Sequence, residues 1–287
     1  MSEHVEDFLG EVETRLAAIA ADARAGGLDA AIEILATCIA SGGVVQAFGS
    51  GHSQAFAMEI AGRAGGLIPT NNVTLRDLAL YGSRSADELS GSTMERDPTV
   101  AQELFDLYPV QPADVFVIAS NSGVNGSIVG MALEAKAHGH QVIAVTSLEH
   151  TAAVVPKHPS GKRLSEIADV VLDNRAPYGD STIDVAVDGS AGPVGSAGSE
   201  QSVRVGAVSS LTAAFIAQLL TIGVTERIAA SGTLPPVYIS ANIPEGDAHN
   251  NVLEARYGHR IKRGLPEPAE STGSAVPQAL TERSVNP

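Results

Sequence analysis

The sequence predicts an α/β fold: a parallel sheet covered by helices on both faces. Three observations predict it. Short runs rich in Val, Ile and Ala alternate along the chain with stretches whose apolar residues recur at helical spacing. Runs such as "DVFVIAS" (114–120) and "QVIAVTS" (141–147) are apolar at consecutive rather than alternate positions, the pattern of a strand buried on both sides. Two of the runs, "VVQAF" (44–48) and 114–120, lead straight into a Gly/Ser turn that opens a helix. In a parallel sheet such turns lie at the carboxyl ends of the strands, where these folds bind ligands.

The elements follow in order. Residues 5–24 carry Phe8, Leu9, Val12, Leu16 and Ile19 at helical spacing, and 28–40 carry Ile32, Leu35 and Ile39; Gly26-Gly27 and Gly42-Gly43 stop the two helices. Then come strand 44–48, a helix from about Ser53, and a strand "LIPTNNV" (67–73). Strand 114–120, the helix "GSIVGMALEAKAHG" (126–139), strand 141–147 and strand "ADVVLDN" (168–174) continue the alternation. After Asn174 the pattern changes to a loop, a short strand around Thr182–Val187, another loop and a long helix over about 203–230. "PPVYISANI" (235–243) reads as a late strand and "GDAHNNVLEARYGHRI" (246–261) as a short helical piece. From Gly264 the chain is rich in Pro, Ser and Glu without apolar periodicity, the composition of a disordered tail. The expected organisation is thus an N-terminal helical pair (1–42) packing on the domain or on a partner subunit, a ligand-binding domain (43–262) and a tail (263–287).

Composition narrows the function. With 287 residues, 44% hydrophobic and 18% charged, the chain is long enough for a substantial core. The net charge of −15 argues against nucleic acid or anionic membranes as partners, so an anionic ligand must be drawn in by helix N-termini and a few local cations. The single cysteine, Cys38, allows no internal disulfide, and its spacing from Ile34 and Leu35 suits a buried helix face. The acidic N-terminus lacks a signal peptide's basic region, so a cytoplasmic protein is expected. Val205–Thr225 carries no charge and is nearly membrane-length, but its serines, threonines, glutamine and glycines suit a helix buried in the core or at a subunit interface.

What do the two turns hold? In "FGSGHSQ", Gly49 and Gly51 begin a dinucleotide fingerprint, but Gln54 stands where the third glycine is needed, and the next strand ends "PTNNV" with no Asp or Glu there. "VVPKHPSGKR" has Gly161-Lys162 without the rest of a Walker loop. "GHSQA" matches a hydrolase elbow with Ser53 as nucleophile and Asp173 or Asp180 and then His249 in order, yet only two helices precede it, where such an elbow follows several strands. A phosphate cradle accounts for both turns at once. In "ASNSGVNGS", Ser120 and Ser122 supply rotatable hydroxyls, Gly123 admits the ligand to the backbone, and the amides of Val124 and Asn125 open the next helix.

Gly-Ser-Gly-His-Ser after one buried strand and Ser-x-Ser-Gly-x-Asn after another resemble the SIS (sugar isomerase) domain over residues 30–240. Four segments, "FGSGHSQAFAMEIAGRAGGL", "SNSGVNGSIVGMALEAK", "VPKHPSGKRLSEIADVVLDNRAPYGD" and "VYISANIPEGDAHN", resemble more closely the bacterial UPF0309, phosphoheptose-isomerase-like subfamily. The resemblance implies a three-layer αβα sandwich with a five-stranded parallel sheet, dimers or tetramers, and a phosphorylated sugar as ligand. It does not by itself imply an isomerase, since such domains also serve as ether lyases, as parts of aminotransferases and as sensors in regulators.

Aldose–ketose isomerisation moves a proton between adjacent carbons and needs a base over one face of the open sugar. Glu59 lies six residues after Ser53, within about two helical turns of the first ligand loop. "MEIAGR" also resembles the segment that carries the base in phosphoheptose isomerases. Pairing with Arg63 at i+4 is the structural alternative. Those isomerases have a catalytic histidine on a later helix, yet Val203–Gly223 contains none. An imidazole would then come from His52 in the first turn or from His249 in "EGDAHN". The expected ligand-holding residues are Ser50, Gly51 and Ser53, then Ser120, Asn121, Ser122, Gly123 and Asn125, with Lys162 or Arg163, and less readily His158, meeting a second anionic group. Neither a metal nor an organic cofactor is expected, because no His, Asp, Glu or Cys grouping has ligand spacing. The expected function is a phosphosugar isomerase; the alternatives are a phosphosugar-binding protein without turnover and a lyase or etherase on a phosphorylated amino sugar.

Overall fold

The computed structural model describes residues 2–89, 93–187 and 201–262. Helices α1 (Ser2–Arg24) and α2 (Asp29–Ala40) lead into β1 (Val45–Gly49), α3 (Gln54–Ile60) and β2 (Thr70–Val73). Three short helices follow, α4 (Asp77–Leu80), α5 (Thr93–Arg96) and α6 (Val100–Asp106), before β3 (Val115–Ala119) and α7 (Gly126–Ala137). Then come β4 (Gln141–Thr146), α8 (Leu148–Ala153) and β5 (Val170–Asp173). The hairpin β6 (Ser181–Val187) and β7 (Gln201–Ala207) precedes the long α9 (Ser209–Ala230) and α10 (Gly246–Glu254).

β1 to β5 form one all-parallel five-stranded sheet in the order β2-β1-β3-β4-β5. Strand periodicity divides the core in two. Val45, Ala47, Val115, Val117, Ile143 and Val145 face a layer built from α1, α2, α3 and α9. Phe48, Phe116, Ile118, Val142 and Ala144 face the opposite layer of α6 and α7. Consecutive residues therefore serve different cores, which is why these strands read as unbroken apolar runs. Each fully buried Val, Ile or Phe contributes roughly 1.5–3 kcal/mol.

Helix α9 is long and apolar enough to cross a membrane by length and composition alone. Here Ala213, Ile216, Ala217, Leu220 and Val224 are buried against the first layer.

The amino ends of the strands are closed by a buried polar network. Asp114, whose side chain is fully buried, accepts from the Val44 amide (2.9 Å) and from Gln46 Nε2 (3.1 Å), and it pairs with the Arg260 guanidinium. Arg260 also donates to the Gly42 carbonyl (2.7 Å). Asn71 binds Gln46, the Arg260 carbonyl and the Lys262 amide (3.0, 2.8 and 2.8 Å). Residues 258–262 are thus pinned under the sheet.

Two expected elements differ. Residues 203–207 are not the start of the long helix but the end of β7, paired antiparallel with β6. Gly206 has φ +75, outside helical space, and an uncharged run conceals this change of period. The late strand expected over 235–243 is reduced to a single antiparallel bridge, Leu67 to Val237. Pro235 and Pro236 remove two amide donors just where a ladder would begin. The segment from Gly264 lies outside the described residues.

Candidate functional site

β1 and β3 are neighbours in register, Gly49 opposite Ala119, so the two Ser/Gly turns emerge side by side at the carboxyl edge of the sheet. The first turn is very tight. A Cβ on Gly49 would stand 2.3 Å from the Ser53 carbonyl oxygen, and Gly51 has φ +55. In the second, the Gly123 amide donates to Ser120 Oγ (3.1 Å) with Gly123 at φ +64. This turn is braced from outside: its Gly123 carbonyl accepts from the Leu164 amide (2.8 Å), and its Val124 carbonyl from the Lys157 amide (3.1 Å). Asn121 is held by Asn174, whose Nδ2 donates to Asn121 Oδ1 at 3.1 Å. The buried hydroxyl of Thr151, beneath Gly123, has no hydrogen-bond partner.

Asn125 precedes α7 in extended conformation and gives it no side-chain cap, so the first amides of that helix are left for another acceptor. Together with the helix dipole they favour an anion. Lys157 Nζ lies 3.4 Å from Asn125 Oδ1 and brings a positive charge to the same point.

Two spaces flank the first turn. On the β3 side a narrow cleft of about 10 Å³, room for a water-sized group, lies between His52, Ser53, Ser120, Asn174, Ser209 and Ser210. On the β2 side a cavity of about 260 Å³ is lined by Ser50, Gly51, Gln54, Arg76 and Glu95 among others. The second is the one with ligand-sized room. A larger cavity of about 430 Å³ lies between α2 and the far end of α9, lined by Glu33, Arg227, Arg256 and Tyr257 among others. It has no cluster of turn amides, and Arg227 is already paired with Glu33 (2.6 Å).

Ser50, Gly51, Ser53, Ser120, Asn121, Ser122, Gly123 and Asn125 therefore all lie in the two adjacent turns. Exposed His52 stands at the lip of the narrow cleft. Glu59 lies about 9 Å further along α3 from Ser53, six residues at helical rise, and turns toward α9. There it accepts from Gln218 Nε2 (2.8 Å) and pairs with Arg63, both through Oε1. It lines neither space at the turns.

His249 is not brought near them. Its Nε2 is 3.0 Å from the carbonyl of Val237, which bridges to Leu67 ahead of β2, at the amino edge of the sheet. Ser53 and His249 therefore sit at opposite edges, and Asp180 caps α9 through the Val208 and Ser209 amides (3.1 and 2.8 Å), so the hydrolase triad is not assembled. Lys162 is exposed in the loop before Leu164. Arg163 donates to the Thr151 and Val154 carbonyls (2.9 Å each), and His158 rests on Ser160 Oγ (2.9 Å) with its proton affinity lowered by burial.

Sequence reasoning missed Glu95, Lys157, Arg76 and Asn174. Glu95, Lys157 and Arg76 come from connections without periodicity and Asn174 from the last position of the expected strand 168–174, and all four reach the turns only through the fold. Among the described residues no group of three or more His, Cys, Asp or Glu side chains could hold a metal ion.

The UPF0309 protein of Halalkalibacterium halodurans is 35% identical over 225 residues, covering 78% of this chain and 86% of its own. That of Listeria monocytogenes is 34% identical over 238 residues, covering 83% and 91%. The chain belongs to the UPF0309 family. Residues 7–147 match the SIS domain, which takes in both turns of this UPF0309 protein. A phosphoheptose isomerase from Francisella tularensis shares the SIS fold at a TM-score of 0.50 and 15% identity, over 78% of this chain and 97% of that one.

Proposed function

We propose that this UPF0309 protein binds a phosphorylated sugar at the two Ser/Gly turns and interconverts its aldose and ketose forms. The observation that carries the reading is the register of β1 against β3, which sets both turns and the amino end of α7 around one point. The SIS-domain match and the fold shared with a phosphoheptose isomerase support it. In this reading the hydroxyls of Ser50, Ser120 and Ser122, the Asn125 side chain and the first α7 amides receive the phosphate.

The reacting carbons lie at the other end of the sugar from the phosphate, so a base some 9 Å along α3 is on the right scale. Glu59 takes that role. Gln218 and Arg63 both hold Oε1, which leaves Oε2 to take the proton and return it to the adjacent carbon. His52 assists ring opening from the lip of the cleft. His249 can serve only the site of a neighbouring copy in a homodimer or homotetramer.

One observation favours a second reading, binding without turnover: Glu59 is paired with Arg63 and lines neither space at the turns. The test is thermal stabilisation by hexose, heptose, pentose and amino-sugar phosphates with the free sugars alongside, followed by solvent-deuterium exchange into the best binder. Selective stabilisation by a phosphosugar, lost in Ser122→Ala, with exchange lost in Glu59→Gln, is expected. Stabilisation without exchange leaves the binding-only reading, and no stabilisation by any phosphosugar rejects both.

A further inference from the structure

The α5 segment lies directly on the first turn of α7. A Cβ on Gly126 would be 2.2 Å from the Arg96 carbonyl oxygen, and Ser127 Oγ donates to the Glu95 carbonyl (2.8 Å). This packing delivers the Glu95 side chain to the gap between the two turns. Its Oε1 accepts from Asn125 Nδ2 (2.5 Å), and its Oε2 stands 3.0 Å from where a Cβ on Gly51 would be. The carboxylate so reaches from one turn to the other. Its hydrogen-bond partner is a neutral amide, and among the described residues it has no ion-pair partner. Its carboxylate therefore stands beside the N-cap residue of α7, where the helix dipole favours a negative group.

We propose that the Glu95 carboxylate is a built-in competitor for the anion site between the two turns, displaced toward Arg76 when a phosphorylated sugar enters. The proposal rests on the phosphate reading of those turns. A carboxylate and a phosphate dianion a few ångströms apart repel strongly away from bulk water, so the two are exclusive occupants. Arg76 lines the same cavity of about 260 Å³ as Glu95 and offers the displaced carboxylate a counter-charge. Glu95 thereby sets affinity: a ligand must offer more than its carboxylate does, which a dianion can and an uncharged sugar cannot.

The test measures binding of inorganic phosphate and of fructose 6-phosphate by calorimetry to the wild type, Glu95→Gln and Glu95→Ala. Melting without ligand is measured in parallel. Both variants should bind each probe at least tenfold more tightly than the wild type, whereas a merely structural Glu95 would give looser binding in both. Equal or weaker binding by the folded variants, while stabilisation of the wild type by some sugar phosphate still depends on Ser122, overturns the role of Glu95 and leaves the cradle standing. If no sugar phosphate stabilises the wild type or either variant, the cradle itself fails and the competitor with it.

Discussion

Gln218 on α9 and Arg63, just beyond α3, meet at a single oxygen of Glu59, with the Gln218 hydrogen bond at 2.8 Å. The carboxylate is thereby fixed between two helices that both run away from the turns. If Glu59 moves the proton, Glu59→Gln should lower the isomerisation rate by about 10²-fold or more while phosphosugar affinity stays within a few fold. Gln218→Ala should cost about tenfold, the worth of one hydrogen bond, with the same unchanged affinity. Steady-state kinetics beside calorimetric titration separates the two effects. An unchanged rate in Glu59→Gln removes it from the mechanism.

Gly49 fixes the shape of the first turn. Since its missing Cβ would stand 2.3 Å from a backbone oxygen, which cannot swing aside, Gly49→Ala must open the turn. The variant should lose phosphosugar stabilisation in a thermal-shift assay. Gly139→Ala serves as the comparison: that glycine has φ +85 with nothing within 4 Å of where a Cβ would stand, so the alanine brings backbone strain but no collision and should keep ligand binding.

Asp114 and Arg260 form the deepest ion pair among the described residues, with side-chain exposures of 0% and 12%. Removing the guanidinium leaves a buried carboxylate without its counter-charge, a loss of about 3–5 kcal/mol. Arg260→Ala should therefore lower the urea midpoint markedly. Combining it with Asp114→Asn, which removes the buried charge at the expense of one of the two accepting oxygens, should recover part of the loss. A midpoint unchanged in Arg260→Ala contradicts the pinning of residues 258–262 to the sheet.

Burial, and then the charge of Asp114, push the Cys38 thiol from 9.0 up to about 12. A group raised in the folded state favours folding fully below its unfolded value and loses that contribution as pH rises. Between pH 9.0 and about 12 the unfolded chain releases the proton first, so stability declines across that window. The difference in urea midpoint between wild type and Cys38→Ala, followed from about pH 8 to about pH 10.5, should shift against the wild type. Alkylation of Cys38 in the folded protein should be slow and rise sharply on unfolding.

The parts of this fold legible in the sequence are those whose local pattern has one physical cause. β3 reads as a strand because Val115 and Val117 serve one core while Phe116 and Ile118 serve the other. The turns read as turns because Gly49, Gly51 and Gly123 occupy backbone or space closed to other residues. Long-range placement is another matter. Nothing local tells that the chain after residue 235 returns to the amino edge of the sheet, carrying His249 away from the turns. Val203 and Val205 suit a helix or a strand equally until β6 supplies a partner. Glu95 and Lys157 reach the second turn from connections whose sequence carries no period, so only tertiary packing reveals them.

The most direct test is a crystal structure with the sugar phosphate that stabilises the protein most. The account predicts the phosphate between the two turns, within hydrogen-bond distance of the Ser122 hydroxyl and the first amides of α7. The sugar should extend from there toward the α3–α9 face that carries Glu59. A phosphate seated instead in the cavity of about 430 Å³ beside Arg256, with the turns unchanged, would contradict it.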